Sequence, residues 1–260
     1  ADFFVEEYKR VILAINKENL DANISIKPTA FGLLLNREKG LENISKICEL
    51  AAKTNIFVRL DMEDHRVTQD TIDVVLEMHS RNITNVGCVL QSRLFRTKND
   101  IKKVCESLKG YTDFRLCKGI YLEPSEISHT SYQSIVDSFC SDIDLALDLD
   151  AYVGIASHDL KIINYAQEVL KSRNLGPGLD DGRANPPKNR VGKGQGYEFQ
   201  FLLGVRGNIR RKLASEGHLT RVYIPYGGQW YEYSMRRLRE NPDIAWHVFK
   251  AMIFPWSNRR

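Results

Sequence analysis

The segment WYEYSMRRLRE, residues 230–240, sets two guanidinium groups side by side. Successive helical residues lie about 100° apart, so Arg236 and Arg237 cannot share one direction. Tyr233 lies three and four residues before them, and Glu240 four and three after, so all four would share adjoining helical surface. One chemistry open to such a fork is a bidentate clamp on a carboxylate. The plainer reading is a solvated basic face with an intrahelical Glu–Arg pair. Further polar groups recur at the ends of β-branched runs. Lys27 closes NISIK, Asp61 closes IFVRLD and Gln91 closes VGCVLQ. FRLCKGIY carries Arg115, Lys118 and Tyr121, and GIASHD ends in Ser157, His158 and Asp159. YEFQ carries Glu198 and Gln200, and RVYIPYG carries Tyr223. No Ser–His–Asp order or Cys–His signature accompanies them. The six histidines form no HxxxH or HxH pair, so no metal centre is expected. Cationic side chains, phenols and amides position a ligand and neutralise negative charge. That suits an anionic substrate and a cofactor that carries the hard chemistry.

Positioning these groups requires a scaffold that brings strand ends together. The apolar runs NISIK, IFVRLD, VGCVLQ, DFRLCKG, AYVGIAS, YEFQF and RVYIPYG recur at roughly the spacing of a βα unit. Amphipathic stretches fall between them. Phe4, Tyr8, Ile12 and Ile15 make one stripe; Val136, Phe139, Cys140, Ile143 and Leu147 make another. The alternation predicts a parallel sheet covered by helices. Because a helix over 3–17 comes first, seven strands remain. The fold expected is a (βα)8 barrel whose first strand is missing from this chain, with an open doubly wound sheet as the competing topology. In a barrel the strands' carboxyl ends converge on one face, where active sites sit. One barrel domain over residues 1–260 is expected, with a mobile Gly/Pro-rich loop at 174–196. The GKGQG within that loop lacks phosphate-loop spacing and context.

The 260 residues are 43% hydrophobic and 27% charged, as in a soluble globular chain. A net charge of +4, evenly spread, argues against a nucleic-acid partner. No apolar run approaches the roughly 20 residues needed to span a bilayer, and no secretory leader is read at the start. Five cysteines without a CxxC read as reduced core thiols in a reducing compartment. On that reading the sequons at Asn23, Asn43 and Asn82 are coincidental.

Eight blocks in order, ISIKPTAFG, VRLDMED, VLQSRLFRT, RLCKGIYLEP, ASHD, YEFQFLLGVR, RVYIPYG and WYEYSMRRLRE, resemble the proline dehydrogenase family. That family includes the corresponding domain of proline utilisation A. The resemblance covers nearly the whole chain and implies a distorted (βα)8 barrel of TIM type that binds FAD at its carboxyl face without a Rossmann motif. It implies oxidation of L-proline to Δ1-pyrroline-5-carboxylate by hydride transfer from proline C5 to flavin N5. Electrons would pass to membrane quinone, and pyrroline-5-carboxylate dehydrogenase would be a further partner. The location implied is cytoplasmic and peripheral at the inner membrane in a bacterium, or the matrix side of the mitochondrial inner membrane. Carried over by motif, Arg236 and Arg237 bind the proline carboxylate with Lys27 beside them. Tyr223, Tyr233 and Leu116 enclose the ring. Arg115 reaches the flavin near N5, and Asp61 organises the floor of the site. The cofactor-binding set implied is Val89, Gln91, Arg115, Cys117, Lys118, Gly119, Ile120, Tyr121, Ala156, Ser157, His158, Asp159, Gln200, Arg237 and Glu240. Where the family commonly shows KGAY this chain has KGIY, and ASHD replaces the commoner ATH block. Two other readings use the same residues. One is a Schiff-base or phosphate-binding barrel enzyme built on Lys27 or Lys118. The other is a non-catalytic module that presents RRLRE and SNRR to acidic partners.

Overall fold

The computed structural model describes residues 1–183, 186–187 and 196–227. The chain divides into two compact units, one of residues 1–153 and 183–191, the other of 154–182 and 192–260. In the first, helix α1 (Asp2–Lys17) precedes β1 (Ile24–Ile26), a 3-10 turn (Pro28–Phe31), α2 (Arg37–Lys53) and β2 (Val58–Leu60). Then follow α3 (His65–Ser80), β3 (Val86–Gln91), α4 (Thr97–Leu108), β4 (Asp113–Cys117) and α5 (Tyr132–Asp148). Strand β5 (Tyr152–Ala156) crosses the division between the units. The second unit continues with α6 (Leu160–Ser172), β6 (Tyr197–Leu202), α7 (Gly207–Ser215) and β7 (Thr220–Tyr223). All seven expected strands form, and a helix comes first among the described residues.

Local chemistry starts and stops the helices. Asn36, Asp64, Ser131 and Asp159 are side-chain caps, accepting from the backbone N–H groups of Lys39, Arg66, Ser134 and Lys161. Two residues past the ends of α1, α2, α3, α5 and α6 stand Asn19, Asn55, Asn82, Asp150 and Asn174, all with positive φ. The next residue's N–H then turns back onto the helix. Ile56 donates to Ala51 O, Ile83 to Met78 O, Ala151 to Ala146 O and Leu175 to Leu170 O. Short polar side chains tolerate this left-handed geometry, and the following apolar residue seals the helix end. Asn82, which heads the third sequon, is thus a helix stop, and the Asn43 amide is buried, donating to Phe31 O.

In the first unit strand order follows chain order, with β1–β2, β2–β3 and β3–β4 all parallel. An order that steps steadily outward from β1 is that of a barrel wall; a doubly wound sheet reverses direction partway. Period-two alternation gives this sheet two unlike faces. Ile24, Ile26, Val58, Leu60, Val86, Cys88, Leu90, Phe114 and Leu116 make one face, all buried and covered by the helices. The other face carries Ser25, Arg59, Val89, Gln91, Asp113, Arg115 and Cys117. Burying so many polar groups requires that they bond to one another. At its amino end, Arg59 donates to Cys88 O and Asp113 O at 3.1 and 2.8 Å, pairs with the Asp113 carboxylate, and lies 4.9 Å from the Phe57 ring centroid. Gly87 makes room for this. A Cβ there would clash with Asp113 O and lie 3.0 Å from both Arg59 Nη1 and Phe57 Cζ.

Candidate active site

The carboxyl end of the polar face in the first unit holds the groups with chemistry. Arg115 on β4 donates from Nη1 to Asp61 Oδ1 at 2.7 Å and from Nη2 to Ser25 Oγ at 3.0 Å. The geometry follows from alternation: Ser25 and Lys27 sit two apart, as do Arg59 and Asp61, and parallel pairing aligns these strands with β4. The Asp61 N–H donates to Ile26 O at 2.8 Å and so extends the β1–β2 ladder by one residue. Arg115 and Asp61 are 13% and 14% exposed, shielded enough for the pair to strengthen but open at one edge. Tyr8 of α1 donates to Ser25 O at 2.8 Å. Burial, then the Asp61 charge, pushes its phenol up to about 12, so it stays a neutral donor. Lys27 follows β1 with extended backbone, half-buried, and its ammonium makes no ion pair or hydrogen bond among the described residues.

Beside this pair lies a second cluster. The Gln91 amide, buried, donates to Glu63 O at 2.8 Å. Glu63 in turn accepts from Thr29 N and Thr29 Oγ1 at 3.2 and 2.8 Å, tying the loops after β1 and β2 together. Gly119 folds over Gln91 with φ +92°, and a Cβ there would sit 2.9 Å from Gln91 Oε1. KGIY therefore needs its glycine for both conformation and closeness. Ser92 and Arg93 donate their N–H groups to Cys117 O and Lys118 O, and the Arg93 guanidinium donates to Tyr121 O. Lys118 Nζ lies 4.5 Å from the Tyr132 ring centroid. Ile120 projects outward, 52% exposed. Val89 and Cys117 share the face of Arg115. Burial pushes the Cys117 thiol up to about 11, so it is no nucleophile at neutral pH. Leu116 is not brought into this group. It pairs in register with Leu90 on the helix-covered face and is fully buried, because adjacent strand residues point to opposite sides.

In the second unit, His158 Nε2 accepts from Leu202 N at 3.0 Å, which places the neutral ring's proton on Nδ1. Ser157 Oγ accepts from Asp159 N at 3.1 Å, and the Asp159 carboxylate caps α6. Ala156, at the end of β5, is half-buried. Gln200 donates to Glu198 Oε1 at 2.6 Å, and Arg221 Nε lies 2.9 Å from both Glu198 oxygens. Register puts Tyr223 on the same side as Arg221 and Gln200. Tyr233, Arg236, Arg237 and Glu240 lie outside the described residues, as does much of the 174–196 loop with its GKGQG. The sequence reading missed Ser25, Glu63 and Arg221. The first and last lie two residues from Lys27 and Tyr223 on the same strand faces, so period-two extension would have found them.

The Proline dehydrogenase family model matches residues 1–248. Proline dehydrogenase 2 of Bacillus subtilis (strain 168) is 33% identical over 247 residues, 95% of this chain and 75% of that protein. The proline dehydrogenase of Deinococcus radiodurans is 29% identical over 258 residues, 96% of this chain and 76% of that one. Among solved structures, proline utilization A from Bdellovibrio bacteriovorus, inactivated by N-propargylglycine, superposes with a TM-score of 0.72 at 18% identity. It covers 87% of this chain, which spans about a quarter (26%) of that protein's length. The strand pairings and this likeness make the fold a distorted (βα)8 barrel. On the strength of the match along nearly its whole length, the chain belongs to the proline dehydrogenase family.

Proposed function

We propose that this chain oxidises L-proline to Δ1-pyrroline-5-carboxylate with FAD and passes the electrons to quinone, working as one barrel domain. The observation that carries the reading is the polar carboxyl end in the first unit: the Arg115–Asp61–Ser25 cluster beside Gln91 and a backbone-only cradle at Gly119. These residues fit a flavin. Arg115 and Lys118 offer positive charge, Gln91 offers an amide fixed by Glu63, and a residue with a side chain at 119 would crowd the approach. Arg115, Gln91, Lys118, Gly119 and Tyr121 of the first unit would hold the group. When bound, FAD supplies the hydride acceptor at flavin N5.

The chain's own residues do the rest. The proline carboxylate is assigned to the Arg236–Arg237 fork, a positioning effect that can be worth several kcal/mol of barrier. Tyr223 and Tyr233 border the ring. A cationic pocket favours the neutral amine, whose lone pair must be free as the imine forms. Asp61 and Ser25 fix the Arg115 guanidinium, so its charge is in place before reaction and need not reorganise. The test is spectroscopic. A yellow preparation with flavin absorbance that bleaches on adding proline and recovers with a quinone analogue is the expected result. A colourless protein that FAD cannot reconstitute overturns the reading.

A further inference from the structure

Next to the segment Lys118–Tyr121, the usual placement of apolar and charged groups is inverted. Leu122 is 97% exposed, while the side chain of its neighbour Glu123 is 2% exposed. Chains bury leucine and solvate glutamate unless something holds the carboxylate in. What holds Glu123 is the start of α3. Its Oε1 accepts from the His65 backbone N–H at 3.0 Å, and its Oε2 lies 2.5 Å from His65 Nδ1. The first N–H groups of a helix have no partner within it and carry partial positive charge. Asp64 caps Arg66 N, and Glu123, reaching from the loop after β4, takes His65 N. Pro124 disfavours helical backbone at the preceding Glu123. Arg66 adds a favourable charge to Glu123 from the same turn.

We propose that Glu123 and His65 are positioning residues that set the segment Lys118–Tyr121 for cofactor binding. Arg93, in the loop after β3, holds the segment at both ends, its N–H on Lys118 O and its guanidinium on Tyr121 O. Glu123, two residues beyond Tyr121, adds a tie to the start of α3. The loop before α3 also holds Gln91 through Glu63 O, so residues 63–65 orient both sides of the Gly119 cradle. Without the latch only the Arg93 contacts would remain, since exposed Leu122 adds no packing, and the cradle would loosen. The inference rests on the flavin site proposed above.

The experiment compares holoprotein of the native sequence with Glu123→Ala, Glu123→Gln and His65→Ala. Three quantities are read: the FAD dissociation constant from flavin fluorescence, chymotryptic cleavage after Tyr121 or Leu122, and the KM for proline at saturating FAD. Losing a charge-assisted contact should weaken FAD binding about tenfold in Glu123→Ala and speed the cleavage by a similar factor. The KM for proline should change less than about twofold, since the latch is not asked to touch substrate. Glu123→Gln keeps an acceptor for the His65 N–H and should fall between, which serves if the alanine variant does not fold. Unchanged cleavage in Glu123→Gln and His65→Ala overturns the latch. Faster cleavage with FAD affinity unchanged overturns its role in cofactor binding. Absence of FAD binding by the native sequence instead defeats the flavin reading on which the proposal rests.

Discussion

Asp61 and Asp142 are both shielded carboxylates, and their surroundings give them opposite consequences. Asp61 faces Arg115 and gains from its charge. Asp61→Asn keeps the shape but removes the charge that fixes the guanidinium. A hydrogen bond to a charged group is worth about 1.5–3 kcal/mol, so kcat/KM for proline should fall about 10- to 150-fold. A change under about threefold with flavin content intact would show that Arg115 is held by other contacts. Asp142 of α5 is fully buried, and among the described residues neither carboxylate oxygen finds a hydrogen bond of good geometry; the same holds for the Ser92 hydroxyl. Burial pushes its pKa up to about 6, with Ser92 and Lys98 pulling partly the other way. The folded state therefore binds the proton more tightly than the unfolded chain, whose value is near 3.8. Stability from this group is full below about pH 4, is lost as pH rises towards 6, and stays lost above. Asp142→Asn should stabilise the protein at pH 8 by about 1–3 kcal/mol, raising Tm by roughly 3–9 °C, and have little effect at pH 4. An equal shift at both pH values would show that packing, not ionisation, is responsible. At this scale the sequence revealed residue types at strand ends, including Arg115 and Asp61. It could not reveal that they pair, because their contact joins positions 54 apart. Nor could it reveal Leu116's side, since a motif names a neighbourhood and strand alternation decides the direction.

Elements were the most legible level, because periodicity and turn chemistry are local. All seven strand runs and both quoted helical stripes lie where the pattern put them. The stripe of α1 is rotated slightly: Val5, Ile12 and Ile15 are buried while Phe4 is exposed. Less visible was the recurrent stop, an Asn or Asp in left-handed geometry followed by an apolar residue. Each copy is a short pair such as Asn55-Ile56 or Asn174-Leu175, which means little until a helix is seen to end there. Arg59 was equally hidden, because nothing local in IFVRLD shows that this arginine is only 2% exposed. Its burial depends on Gly87, and this gives the element-scale prediction. Gly87→Ala would drive a methyl group into Asp113 O and the Arg59 guanidinium, forcing β3 from β4 and loosening a buried ion pair. Backbone and a tightly bonded arginine cannot yield as a flexible side chain would. Overpacking of this kind costs about 3 kcal/mol or more, so Tm should drop by at least ~6–12 °C. Thermal unfolding followed by circular dichroism measures it. A Tm within about 2 °C of the native value would mean that the sheet relaxes around the methyl group.

The whole molecule poses a question of cooperativity that its cysteines and tryptophans can answer. The chain divides into two compact units, and the division falls inside β5, between Val153 and Gly154. A strand is a poor place for an independent boundary, since linkers between separate domains run through exposed segments where few contacts cross. One barrel domain, as proposed, should therefore unfold in one step even though its contacts group into two sets. The probes happen to be segregated. All five cysteines lie within the first unit, Cys48, Cys88, Cys105, Cys117 and Cys140, and none is in a disulfide. All three tryptophans, Trp230, Trp246 and Trp256, lie in the sequence of the second. Cys48, Cys88 and Cys105 are buried, and burial raises their pKa, that of Cys88 to about 12 and that of Cys105 to about 11. They should react with a thiol reagent only when the first unit opens. Urea titration followed by thiol labelling and by tryptophan fluorescence thus reads the two units separately in one sample. The expected result is a single transition with midpoints agreeing within about 0.3 M, and an m-value suited to a chain of this length. Thiols that become reactive at a urea concentration where tryptophan fluorescence is still native would show two domains folding on their own, with β5 divided between them.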